Sequence, residues 1–536
     1  MSLPQSTRNE EVDAGTPSPA AAATPQTAPR RRRRLRFTAI FGIWLLAVLG
    51  IHLWWGWLAE SRLQAAIAAH RAAGEPVLIE DFAQPPIPDP ENAAELVKQA
   101  VSQMVAPPAA LPRIADLATD PIAFAQHFDA IAQHLRANAP ALALVRQAAA
   151  LDQADWHLQL GSPVITLRST APLATQRDLA RLVRLAAIYD HQLGNDAEAF
   201  ARLNDLTHLA QHISVEEPCL LTTLVSRAID RLACTALECI LPDLRITASQ
   251  PAILPATPSS PVTSVRRSDA VTLIQILLDE RGIEAAWTRG VFGERARVLD
   301  TIDLAGKGQF AALGTGVPAP RVAHLLAFLL RPAWKLDAVR LIDCYVAQER
   351  AGRAPDYLSA RDLCPSPLAP ESLSDKTARF LSFAMAPPGG LDLLFEHRAI
   401  RRMAATALAI RLFELDYGLR PAALDELVPH YLPHVPPDPF DAAGAPIRYL
   451  PDRTPPLLYS VSIDGVDDDG AVGLTPSGDV YWRAKDLPFY LNGDRPHEPI
   501  RTTTAPTTAP ATTPPSLQAP IDDTQIEERR RNEHER

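Results

Sequence analysis

The chain predicts a mainly α protein: a single N-terminal transmembrane helix, a helical-hairpin bundle, and a small C-terminal α+β module of one long helix and a short antiparallel sheet. Three observations predict it. Phe37 to Leu58 is an almost wholly apolar run behind a block of arginines, Arg30 to Arg34 and Arg36. Apolar residues then recur at spacings of three and four through most of the middle. Only beyond residue 440 do short extended stretches alternate with Gly, Asp and Pro turns.

Residues 1–36 form a basic tail, Ala/Pro/Thr-rich over its first 29 positions with no apolar period, which predicts disorder on the cytoplasmic side. As a helix, residues 37–58 would rise about 33 Å, enough to cross a hydrocarbon core of about 30 Å. Trp54, Trp55 and Trp57 crowd its far end. Tryptophan favours the headgroup layer and arginine the cytoplasmic side, so the N-terminus is expected inside and the bulk of the chain outside. A cleaved signal peptide has a shorter apolar core and a shorter lead, so the segment reads as a permanent anchor in the inner (cytoplasmic) membrane. His52 lies within the span, a turn or two from the tryptophans.

Residues 59–90 continue as helix, with Leu63 and Ile67 on one face, to Gly74; Pro85, Pro86, Pro88 and Pro90 then make a stiff connector. Residues 91–245 read as a helical bundle. Leu179, Leu182, Val183, Ala186, Ile188 and Tyr189 make one apolar face, Gly194-Asn195 breaks it, and a helix over about 196–213 answers with Ala199, Leu203, Leu206, Leu209 and Ala210. The two predict an antiparallel hairpin, followed by a helix over about 218–241 with Pro218 in its first turn. Through Leu185, Tyr189, Gly194, Ala197 and Leu203 the stretch resembles a tetratricopeptide unit, but no second copy follows and a bundle is expected.

Residues 246–390 combine a linker (246–264) with helices over about 268–289, capped by Ser268 or Asp269, and about 319–352. In the latter, His324, Leu325, Leu326, Phe328, Leu329 and Leu330 make an apolar patch too short for a second span, expected to break at Arg331-Pro332. It predicts a buried or membrane-facing surface. The glycines of Gly306-Lys307-Gly308 are expected in a loop, without the acidic partner and strand-helix units of a dinucleotide site.

The formal net charge of −10 argues against a nucleic-acid partner. Five cysteines, at 219, 234, 239, 344 and 364, exclude a disulfide scaffold and show no zinc spacing. His208 and His212 stand four apart on one helix, a spacing that lets two imidazoles share a metal, with His191 on the preceding helix as a third ligand; ordinary packed histidines fit as well. No nucleophile elbow, phosphate loop or His-Glu-x-x-His sequence occurs.

The module at 391–485 begins with a helix from Leu391 to Tyr417, whose Ala404, Ala405, Ala407 and Ala409 permit close packing and which Gly418 ends. A short helix at about 421–428 and strands at about 446–450, 457–463 and 479–483 follow. The order Pro421, Leu424, Leu427, Val428, Tyr431, Leu432, Pro436, Asp438-Pro439-Phe440, Gly444, Pro446, Ile447, Tyr449, Tyr459-Ser460, Asp464-Gly465, Gly470 and Asp479 resembles the globular part of the major, G-type pseudopilin of type II secretion. The resemblance implies a long helix packed on a small antiparallel sheet and a binding or assembly role linked to a secretion-type system. It also implies a calcium loop over Asp464, Asp467, Asp468 and Asp469. An ordinary acidic turn is the other reading, and no other cofactor is expected. Arg36-Phe37-Thr38 lacks the glycine and glutamate of that family's processing site, so the helix should stay an anchor. The whole arrangement resembles single-pass envelope proteins of planctomycete-like bacteria. Residues 486–536, rich in Thr and Pro past 499, predict a disordered tail. The partners expected are therefore the lipid bilayer and proteins of the cell envelope; a membrane-anchored hydrolase built from dispersed acids and histidines is the alternative.

Overall fold

The computed structural model describes residues 29–118, 120–158, 160–162, 171–247, 263–310, 320–364, 390–474, 480–481 and 485–493. Residues 1–28 of the predicted 1–36 tail, residues 494–536 of the predicted 486–536 tail, and most of the 246–264 linker lie outside them. The described chain is mainly helical with small sheets.

Helix α1 (Pro29–Ala72) begins inside the predicted 1–36 tail, at its arginine block, and is continuous across the apolar run and the helix expected after it, ending before the proline connector. Its stretch from Thr38 is long and apolar enough to cross a membrane. Ile43, Trp44, Leu46, Ile51, Trp54 and Trp57 are exposed, whereas Ala59 and Ile67 are buried. The change from bare to packed therefore falls where the apolar run ends. Gly74 (φ 81°) closes the helix. Asp81 ties the next turn, accepting from the backbone of Val77 and Leu78 at 2.9 Å and from Arg71 Nη2 at 2.7 Å.

Helix α2 (Ala93–Gln103) starts at Asn92, whose side chain accepts from the Ala94 amide. Short helices α3 (Ile114–Leu117), α4 (Pro121–Gln126), α5 (Phe128–Ala137) and α6 (Ala139–Ala149) follow. The predicted hairpin is α7 (Ala171–Gln192) against α8 (Asp196–Ser214), turned at Gly194 (φ 81°). Helix α9 (Leu220–Ile240) packs on both. It starts at Cys219, with Pro218 outside, because the Cys219 sulfur caps the Thr222 amide. Strands β1 (Ile246–Thr247) and β2 (Val265–Arg266) pair in parallel.

Three further expectations need correction. The predicted helix at 268–289 is two helices, α10 (Arg267–Leu278) and α11 (Arg281–Gly306). Asp279 separates them, its carboxylate accepting the Arg281 amide at 3.0 Å in place of a helical bond. Neither Ser268 nor Asp269 caps α10; Asp269 pairs with Arg266 instead. Helix α12 (Arg321–Gly352) runs straight through Pro332, where a break was expected. Proline has no N–H for the carbonyl four residues earlier. That carbonyl belongs to Phe328, and His52 Nε2 of α1 lies 3.1 Å from it, supplying the missing donor. One turn on, Pro332 packs against Gly56, and Lys335 pairs with Glu60, so α1 and α12 run side by side in the same direction. A proline tolerated in one helix is thus explained by a histidine in the other.

After α13 (Tyr357–Leu363), helix α14 (Leu391–Tyr417) ends as predicted at Gly418 (φ 74°). Eighteen of its 27 residues are buried. It packs against α9, α10 and α13 as well as the sheet. The helix that opens the C-terminal module is thus also a central strut of the helical body, and one hydrophobic core runs from Ile67 through Leu237, Trp287, Leu341 and Phe395 to Leu491. The predicted short helix is a single 3-10 turn, Leu424–Leu427.

Strands β3 (Arg448–Leu450) and β4 (Leu457–Ser460) form the expected antiparallel pair. The third strand of that sheet is β7 (Leu487–Tyr490), in sequence assigned to the tail; β5 (Gly473–Leu474) and β6 (Val480–Tyr481), the latter in the predicted 479–483 strand, pair separately. β7 is held because Leu487 and Phe489 are buried against β4 and Glu238 of α9 accepts the Tyr490 amide at 2.8 Å. Four residues are too few to carry a pattern of their own.

Candidate functional site

A cavity of about 140 Å³ opens between α8, α9, the α10–α11 junction and α14. Its floor is ionisable. Arg227 and Asp230 come from one face of α9, His397 and Arg401 from one face of α14, at helical spacings of three and four. All four are buried. Gln211, Ser214, Asp279 and Gly282 form the mouth.

Asp230 is the hinge of the floor. Its Oδ2 accepts from His397 Nε2 at 2.7 Å and Arg401 Nη1 at 2.6 Å. Burial works to raise the Asp230 carboxyl, but Arg401 and His397 outweigh it and hold it well below the usual carboxylate range. Burial pushes the His397 imidazole down, more than the Asp230 partner restores, which favours the neutral ring. Arg401 also closes the end of α10: Nε donates to Leu277 O at 3.1 Å and Nη2 to the Ile276 carbonyl. A cation there satisfies carbonyls left without helical donors and complements the helix dipole. Arg398, one residue along from His397, does the same for α12, donating to Gly352 O at 2.9 Å, and pairs with Glu280 and Glu284.

Arg227 stands apart. Only 6% of it is exposed, it lies over the Trp287 ring at 5.1 Å, and none of its three guanidinium nitrogens has a hydrogen-bond partner among the described residues. Burial, reinforced by repulsion from Arg398, pushes its guanidinium down to about 9. Trp287 is itself fixed, Nε1 donating to Gln348 O at 3.2 Å, and Gly352 leaves it room: a Cβ there would meet the indole at 1.9 Å.

Hydroxyl groups around the cavity are committed to backbone: Ser226 donates to Ala210 O at 2.8 Å, Thr207 to Asn204 O at 2.9 Å and Ser214 to Gln211 O at 2.7 Å. None donates to His397, so among the described residues the Asp230–His397 pair has no hydroxyl nucleophile attached to it. The arrangement is suited to holding a charge.

The residues singled out from sequence lie elsewhere. His191 Nδ1 bonds Asp196 at 2.8 Å, His208 Nδ1 bonds Asn204 O at 2.8 Å, and His212 Nε2 bonds Ala148 O at 3.1 Å. Burial pushes His212 down to about 4 despite that bond. Among the described residues no three His, Cys, Asp or Glu side chains converge as a metal set. In the acidic turn, Asp467 accepts from Arg448 at 2.8 Å and Tyr459 at 2.9 Å, Asp468 pairs with Lys485 at 3.1 Å, and Asp464 accepts the Val466 amide at 3.1 Å. Asp469 takes a left-handed backbone (φ 56°) and its carbonyl accepts from Arg453. Protein cations thus stand beside two of the four carboxylates, Asp467 and Asp468. None of the five cysteines is in a disulfide.

Arg227, Asp230, His397 and Arg401 were not foreseen. One signal was available: Glu396-His397-Arg398 and Arg401-Arg402 interrupt a stretch, Leu393 to Ile410, that otherwise shows apolar or small residues on every side. A helix without a polar face buries its charges and must pair them. No protein-family model, curated protein or solved structure matches the chain.

Proposed function

We propose that the chain is a membrane-anchored envelope protein with a binding or assembly role, its N-terminus cytoplasmic and its helical body on the far side of the inner membrane. The observation that carries this reading is the change along α1 from exposed apolar side chains up to Trp57 to buried ones from Ala59. Exposed apolar surface of that length needs lipid, and the arginines before it set the orientation. The first turns of α12 belong to the same layer: Val322, Leu325, Phe328 and Leu329 are exposed, and Phe328 sits beside His52, inside the α1 span. They would enter the outer leaflet, with Lys335 and Glu60 near its surface.

Binding is favoured over hydrolysis because the cavity hydroxyls all donate to backbone carbonyls. The pseudopilin-like order of residues favours protein partners at the sheet side of the C-terminal module, since the helix of that motif is enclosed by α9, α10 and α13.

Membrane fractions and spheroplasts test the proposal. Alkaline carbonate should leave the protein in the pellet, and external protease should remove a C-terminal tag while sparing an N-terminal one. An NBD fluorophore on a cysteine introduced at Leu329 should emit as in lipid. Carbonate release, or reversed protection, would refute the anchor and its orientation; a water-like spectrum would refute the placement of α12.

A further inference from the structure

The cavity carries one charge with nothing to balance it. Arg401 is neutralised by Asp230, Arg398 by Glu280 and Glu284, and Asp279 at the mouth by Arg281. Arg227 alone, among the described residues of the cavity, has neither a counter-ion nor a hydrogen-bond acceptor. A buried guanidinium in that state is costly, because desolvation is not repaid by pairing. Its face against Trp287 is satisfied by the ring, but its N–H edge is not. A planar fork of donors matches a carboxylate in shape as well as charge.

We propose that the cavity is a binding site for a small monocarboxylate, held by the guanidinium of Arg227 and entering past Ser214 and Gly282. A single negative charge balances the single surplus positive one; a phosphate dianion would leave the floor with an excess negative charge beside Asp230. Ala210, Ile276, Ile283 and Ala286 supply the apolar part of the lining, which suits a short alkyl tail, and about 140 Å³ admits only a few heavy atoms. The site does not depend on which side of a membrane the body lies, so it stands or falls separately from the anchor.

The test uses the full-length protein in detergent micelles. Sodium acetate, propionate and butyrate are titrated at constant ionic strength against chloride, with inorganic phosphate as a parallel arm, following the thermal midpoint and tryptophan fluorescence. At least one of the carboxylates should raise the midpoint saturably and change the fluorescence, through Trp287 beside Arg227. Arg227→Met should abolish the response and raise the midpoint of the ligand-free protein, because it removes an unpaired buried charge while keeping the bulk. Arg227→Lys, which keeps charge but loses the fork, should weaken binding by roughly tenfold or more. The proposal is overturned if wild type shows no saturable response to the three carboxylates, or if phosphate saturates at lower concentration than they do. It is also overturned if Arg227→Met responds like wild type or melts lower when ligand-free, which would make Arg227 a packing residue. Should Arg227→Met not fold, the titration of wild type against Arg227→Lys decides.

Discussion

Asp230→Ala should be among the most damaging single changes in the helical body. It removes the carboxylate that accepts from Arg401 at 2.6 Å and His397 at 2.7 Å, across two helices joined only through the tertiary fold. Arg401 would keep its carbonyl contacts at the end of α10 but lose its counter-charge, with Arg227 already unpaired nearby. Breaking a buried pair from one side costs about 3–5 kcal/mol, a large share of a domain stability of about 5–15 kcal/mol. Removing both partners is far less costly, because no orphaned charge remains. Asp230→Ala/Arg401→Met should therefore recover about 2 kcal/mol or more of the loss, less what Arg401 contributes as the cap of α10. Guanidinium unfolding of the detergent-solubilised protein, followed by tryptophan fluorescence, measures each variant against wild type. If Asp230→Ala costs less than about 1 kcal/mol, or if the double variant is as unstable as the sum of the two singles, the pair is not the electrostatic hinge argued from its geometry.

Three further outcomes follow from named contacts. His52→Leu should loosen the α1–α12 contact by about 1–3 kcal/mol by orphaning the Phe328 carbonyl, yet do little in a Pro332→Ala background, where residue 332 supplies its own N–H; equal thermal destabilisation in both backgrounds would refute the pairing. His212, pushed down to about 4 in the fold, binds its proton more readily when unfolded. Its contribution is complete above the ordinary histidine value near 6.5 and falls as pH drops toward 4, a loss of about 2 kcal/mol between pH 7 and 5 that His212→Gln should lack in denaturation curves taken across that range. In the acidic turn, Arg448 and Lys485 already pair with Asp467 and Asp468, so neither calcium nor a chelator should move the melting temperature; a rise with micromolar calcium would favour the calcium reading over the ordinary acidic turn.

Much of the helical layout was legible because helix signals are local. Gly194 and Gly418 end helices through backbone freedom at positive φ, and Asn92 caps one through its own side chain. The alanines of α14 announced close packing, and all four are fully buried. The failures share a cause. Pro332 was read as a break because the donor that replaces its missing N–H comes from residue 52. β7 was read as tail because its amide partner is Glu238.

The same division separates what the chain states alone from what folding decides. A long apolar run behind arginines, and the 3.6-residue period that follows, determine a membrane-competent helix and a helical body, since both depend on neighbours within a few turns. The cavity does not work that way: Asp230 and Arg401 are 171 positions apart, and the packing of α9 against α14 brings them together. That packing also withholds any partner from Arg227. No local pattern encodes an unsatisfied charge, because satisfaction is a property of the atoms that surround it.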